Sequence, residues 1–205
     1  HAWLRMEDPT NLMMVTGLLI FDQPLSIERV RATFEHRLLR YERFRQRVVT
    51  DGDSARWEND PHFTLSAHLR RIALPAPHDQ AALQELVSDL MSTPMDFSKS
   101  PWQYHLIENY NGGCVLLGRL HHCIADGIAL IRVLLTMTDD SPDAPWPSAD
   151  DAPAERKRER GDARRQLGEA IVRELEEAQS RERKDRVGQR GEGARQRLFF
   201  VVAWD

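Results

Sequence analysis

A chain of 205 residues is long enough for one domain with a real core, and a net charge of −4 gives no general electrostatic argument for nucleic acid. Its only cysteines, Cys114 and Cys123, exclude a disulfide framework and fit a reducing cytoplasm. No apolar run is long enough to span a bilayer, since Arg132 interrupts even the stretch from Ile128 to Leu135, and no secretory signal is visible.

The chain opens on His1 rather than Met, so its natural N-terminus is expected upstream. Met13 to Phe21 is apolar with β-branched and aromatic residues and reads as a strand, broken by Pro24. Ser26 caps a predicted helix with Ile27, Val30, Phe34, Leu38 and Tyr41 on one face. Glu28, Arg29, Arg31, Glu35 and Arg37 lie on its other side and read as a solvated surface. Asp51-Gly52-Asp53 sits between Phe44–Thr50 and Ala55–Glu58 as a hairpin signal. Phe63 to Ile72 alternates as a further strand, ended by Pro75 and Pro77. Asp79 caps a second helix with a stripe of Leu83, Leu86, Val87, Leu90 and Met91, and Pro94 stops it.

Trp102 to Tyr110 and Cys114 to His121 read as paired strands around the turn Asn111-Gly112-Gly113. The second strand therefore ends in His121-His122. Asp126 and Gly127 then open an apolar helix running to about Met137, expected to be buried because Ile128, Leu130, Ile131, Val133, Leu134 and Leu135 occupy most of its sides. Asp126 suits the N-cap and Gly127 a close approach at the turn. From Thr138 a Pro- and Asp-rich linker leads into a charged tail, expected to be a solvated helix or disordered, so the domain is placed at 1–147 and the linker and tail at 148–205. Arg197 to Asp205 turns apolar again, as a strand without partners or the start of a further domain.

Three readings of the histidine pair are open at this point. Both can be structural. Metal binding needs a third ligand, and none stands at a recognisable spacing. General-base chemistry needs one imidazole aimed into a cleft, with its near-neutral pKa suited to taking a proton. Cys123 as a nucleophile beside His122 is geometrically poor, because adjacent side chains on extended backbone point oppositely; a buried structural thiol fits better. His68 and His105 fall in predicted strands and carry no assigned role. Trp3 and Trp102 read as packing residues, and Met13 and Met14 as packing with an acyl tunnel as the alternative.

His121-His122-x-x-x-Asp126-Gly127 resembles the His-His-x-x-x-Asp-Gly motif of the bacterial wax ester synthase/diacylglycerol acyltransferase family, within the CoA-dependent acyltransferases related to chloramphenicol acetyltransferase. Trp3-Leu4-Arg5-Met6-Glu7-Asp8-Pro9-Thr10-Asn11-Leu12-Met13 resembles that family's N-terminal signature, and Ser100-Pro101-Trp102 its Pro-Leu-Trp-like segment. The resemblance covers roughly residues 1 to 147. It implies an α/β (α+β) fold with a mixed, largely antiparallel sheet and packed helices, like the N-terminal half of such an enzyme. It also implies acyl transfer from acyl-CoA, as co-substrate without a further cofactor, to the hydroxyl of diacylglycerol or a fatty alcohol. His122 would be the base, His121 would shape the strand end, and Asp126 and Gly127 would organise the turn. The family's second half, with its Asn-Asp motif, is expected to be missing, so a C-terminal half or second subunit is needed to complete the cleft. A non-catalytic interaction domain with an incomplete cleft is the alternative from another class. A peptide-synthetase condensation domain would share the motif, but the N-terminal signature argues against it. A cytoplasmic protein touching the inner membrane or lipid inclusions peripherally fits these substrates, and no nucleic-acid partner is expected.

Overall fold

The computed structural model describes residues 2–8, 12–52, 54–125, 127–139, 144–149 and 199–203. A short helix, α1 (Ala2–Arg5), leads into β1 (Met14–Phe21) and then α2 (Ile27–His36). Ser26 caps α2 as expected, its hydroxyl accepting the Arg29 N–H at 3.3 Å. Two 3₁₀ turns follow, and the hairpin β2 (Gln46–Asp51) and β3 (Ser54–Asn59) forms a separate two-stranded sheet.

The next segment differs from expectation. Leu65–His68 makes a helical turn, α3, and only Leu69–Ala73 is a strand, β4. Tertiary packing overrides the alternating pattern here. His68 is buried against the Trp102 ring, with ring centroids 4.5 Å apart, and its Nδ1 lies 2.8 Å from the Trp102 carbonyl. Helix α4 (Gln80–Ser92) begins at Asp79, whose carboxylate accepts the Ala82 N–H at 3.0 Å. The strands β5 (Trp102–Tyr110) and β6 (Gly113–His121) follow, and α5 (Gly127–Thr136) comes after the histidines. Asn111 and Gly112 both have positive φ, 45° and 84°, the requirement of the tight turn that matches strand twist.

The main sheet has the order β4-β5-β6-β1-β7, where β7 is Phe199–Ala203. Its centre is antiparallel, β5 with β6 and β6 with β1, and its flanks are parallel, β4 with β5 and β7 with β1. The apolar C-terminal stretch is thus a strand with a partner: Phe199 stands opposite Thr16 and Ala203 opposite Ile20. The charged tail between lies outside the described residues.

Strand β6 is buried at all nine positions, and its period of two divides the core. Cys114, Leu116 and Leu120 join Val30 and Phe34 of α2 on one face. Val115 and Leu117 join Leu83 and Val87 of α4 on the other. Gly118 makes room for Tyr104 opposite it, since a Cβ there would stand 2.5 Å from that ring. Arg119, fully buried, closes the end of α4 by donating to the Thr93 carbonyl, where the negative end of the helix dipole favours a cation. Burial still pulls its pKa down to about 10.

Two further expectations need correction. Helix α5 is only half-buried: Leu130, Val133, Leu134 and Met137 pack on the α2-side core, Arg132 is exposed, and no described side chain of the helix is fully buried. An apolar helix needs a second layer on its outer side to be buried, and the described elements cover only its inner stripe. The wet face of α2 is also not simply solvated. Arg37 pairs with Asp139 at 2.7 Å, and Arg29 lies 3.6 Å from that carboxylate and donates to the Ala144 carbonyl at 3.0 Å. The start of the linker is therefore fastened to α2.

Candidate active site

Three segments distant in sequence meet where β6 ends. The His121 N–H bonds to the Pro101 carbonyl at 3.0 Å, and the His122 N–H to the Met13 carbonyl at 2.9 Å. The strand end is thereby clamped between the Ser100-Pro101-Trp102 segment and the entry to β1. Trp102 is fully buried and donates its indole N–H to the Phe44 carbonyl at 2.9 Å, which fixes that segment in the core.

The two histidines have different surroundings. His121 is fully buried, with Phe97 edge-on at 5.1 Å. Its Nδ1 accepts the Cys123 backbone N–H at 3.1 Å. A neutral imidazole has one donor and one acceptor, so Nε2 carries the proton and donates to Glu7 Oε2 at 3.2 Å. Both ring nitrogens are occupied, which leaves none to take a proton from a substrate. Burial lowers the pKa of His121, and the Glu7 carboxylate opposes that shift.

His122 is half-buried, with its ring stacked on Trp3 at 4.6 Å and an interplanar angle of 20°. Among the described residues its imidazole has no hydrogen-bond partner. Burial first, and then the neighbouring His121, lower its pKa, so the ring is neutral at neutral pH and keeps a lone pair for a proton. Cys123 is also half-buried, and burial pushes its thiol up to about 12, which keeps it protonated. His105 is buried, with its pKa pulled down to about 4 mainly by burial, and lies on β5 away from this strand end. Gly127 begins α5. Asp126, the expected N-cap, lies outside the described residues. No cluster of metal-ligating side chains occurs among the described residues.

Residue-by-residue reading of the sequence missed two contributors. Glu7 and Trp3 carry no chemical signal alone, yet both stand in the N-terminal segment and reach the histidines, Trp3 while remaining 40% exposed.

The sequence profile of the wax ester synthase/diacylglycerol acyltransferase catalytic domain matches residues 1–190. The chain belongs to this family. It is 36% identical over 147 residues to a putative diacylglycerol O-acyltransferase of Mycobacterium bovis, covering 68% of this chain and 32% of that protein. A probable diacylglycerol O-acyltransferase of Mycobacterium tuberculosis is 31% identical over 139 residues, covering 64% of this chain and 51% of that one. Among solved structures, a wax ester synthase/diacylglycerol acyltransferase from Marinobacter aquaeolei superposes with a TM-score of 0.59 at 26% identity, covering 87% of this chain and 45% of the other. The starter condensation domain of rhizomide synthetase in complex with C8-CoA superposes with a TM-score of 0.55 at 15% identity, covering 66% of this chain and 32% of that one, a likeness of fold. The expected α/β fold of the CoA-dependent acyltransferases is therefore the fold of this chain. The chain spans about a third of the length of the mycobacterial relative it matches over 147 residues.

Proposed function

We propose that this domain carries the base of an acyltransferase that moves a long-chain acyl group from acyl-CoA to the hydroxyl of diacylglycerol or a fatty alcohol. The observation that supports it is the asymmetry of the histidines: at the end of β6 the His122 ring, its pKa lowered by burial, makes no hydrogen bond among the described residues, whereas both ring nitrogens of His121 are occupied. His122 takes the proton of the acceptor hydroxyl as its oxygen attacks the thioester carbonyl. The tetrahedral intermediate collapses, the carbon–sulfur bond breaks, and the leaving CoA thiolate takes that proton from the His122 imidazolium, giving ester, free CoA and neutral His122. Asp126 and Gly127 organise the turn after the histidines.

A C-terminal half, in the same polypeptide or another subunit, completes the cleft and holds CoA. The half-covered apolar helix α5 and the chain's share of its relatives' length support that division. No helix among the described residues is long and apolar enough to cross a membrane. The acceptors and products are lipids, so contact with a membrane surface or lipid inclusion is peripheral in this reading.

Labelled palmitoyl-CoA, offered separately with diacylglycerol, a fatty alcohol and an amine, tests the proposal. The full-length protein is expected to acylate an alcohol, and the 205-residue chain alone to show little or no turnover. Transfer to the amine with neither alcohol consumed would overturn it.

A further inference from the structure

We propose that Glu7 is a positioning residue of this site, acting on His122 through His121. This rests on the reading above that His122 takes the acceptor's proton. A single oxygen, Oε2, receives two donors: the Met13 backbone N–H at 2.5 Å and the Nε2–H of His121 at 3.2 Å. The carboxylate therefore ties the entry to β1 to the end of β6. The other side of the same imidazole accepts the Cys123 N–H, and the Met13 carbonyl accepts the N–H of His122. Glu7, Met13, His121 and Cys123 thus form a closed ring of contacts around the backbone of His122.

The carboxylate does more than fill space. Ionised, it only accepts, so it selects the His121 tautomer that carries its proton on Nε2. That tautomer leaves Nδ1 free to accept from Cys123. The other tautomer would set the Nδ1–H against the Cys123 N–H on one side and the Nε2 lone pair against the Glu7 carboxylate on the other, and release the turn that carries His122. With His121 fully buried, no water replaces a lost partner readily. Similar outer partners fix the ring orientation of functional imidazoles in general.

Long-range proton–nitrogen correlation spectra of the 205-residue chain, labelled at histidine nitrogen, read the tautomer directly. The wild type is expected to show His121 as a single Nε2–H form. Glu7→Gln keeps an acceptor oxygen and should preserve that form, and Glu7→Ala should give a mixture or the opposite tautomer. In the full-length enzyme, Glu7→Ala should lower kcat by about 10- to 100-fold with KM for palmitoyl-CoA unchanged, the signature of a misplaced base. Glu7→Gln should restore most of the rate, and a loss through stability alone would not follow the tautomer. A Glu7→Ala protein with the single Nε2–H form and wild-type kcat would overturn the proposal. If Glu7→Ala fails to fold, Glu7→Gln decides alone: an altered tautomer or a lost rate despite the retained acceptor contradicts it. A wild-type enzyme that acylates none of the acceptors would remove the functional reading, and the spectra would still decide whether Glu7 sets the His121 tautomer.

Discussion

The middle of β6 and its end, only a few residues apart, are held by different forces. From Cys114 to Leu120 nearly every side chain meets apolar side chains on one of two faces, and the fold rests on that burial. From His121 to Ala125 the chain is held by backbone hydrogen bonds, one carboxylate and one aromatic stack, and the region stays partly open. Substitutions in the first region should therefore register in stability, and those in the second in turnover, with little exchange between them.

The largest expected effect is in the second region. His122→Ala in the full-length enzyme should lower kcat by about 10² to 10⁴-fold. Because the His122 side chain is half-buried and its ring makes no hydrogen bond among the described residues, Tm should stay nearly unchanged. A large fall in Tm would break the separation. In the first region, Phe34 is fully buried between α2 and the sheet, with Tyr104 edge-on at 4.8 Å. Phe34→Ala should cost about 3 to 5 kcal/mol in denaturant unfolding. Gly118→Ala drives a Cβ into the Tyr104 ring, which Phe34 and Trp102 enclose, and should cost about 1 to 3 kcal/mol. Recovery on adding Tyr104→Phe is not expected, since the clash is with ring carbons rather than the hydroxyl. Ser26→Ala should cost about 1 kcal/mol, the loss of one helix cap at an exposed position, with no change in kcat.

The same contrast explains what could be read from the sequence. Strand β1, the cap Ser26, the stripe of α4 and the Asn111-Gly112 turn follow from local periodicity and turn chemistry, and each lies where the pattern puts it. The His-His motif at the end of a strand was legible for the same reason. The contacts that distinguish the histidines were not. Glu7 meets His121 across 114 positions, and Arg37 meets Asp139 across 102. Neither pair leaves a local signal. The α3 turn departs from the strand expectation because a four-residue alternation such as Leu65-Ser66-Ala67-His68 serves either element, and the stacking of His68 on Trp102 decides between them. The half-burial of α5 was invisible because an apolar helix pattern does not say whether a second layer is present.

The central claim is that His122, neutral at the end of β6, is the group that takes the proton. The pH dependence of kcat/KM in the full-length enzyme tests it most directly. A base must be unprotonated to act, so the rate falls as pH drops through its pKa. Burial and His121 hold that pKa below the ordinary imidazole value of 6.5. The account predicts a single acid limb with its midpoint below pH 6.5, absent from the residual rate of His122→Ala and retained in His121→Ala. A limb that survives His122→Ala and disappears with His121→Ala would contradict it and pass the role of base to the buried histidine.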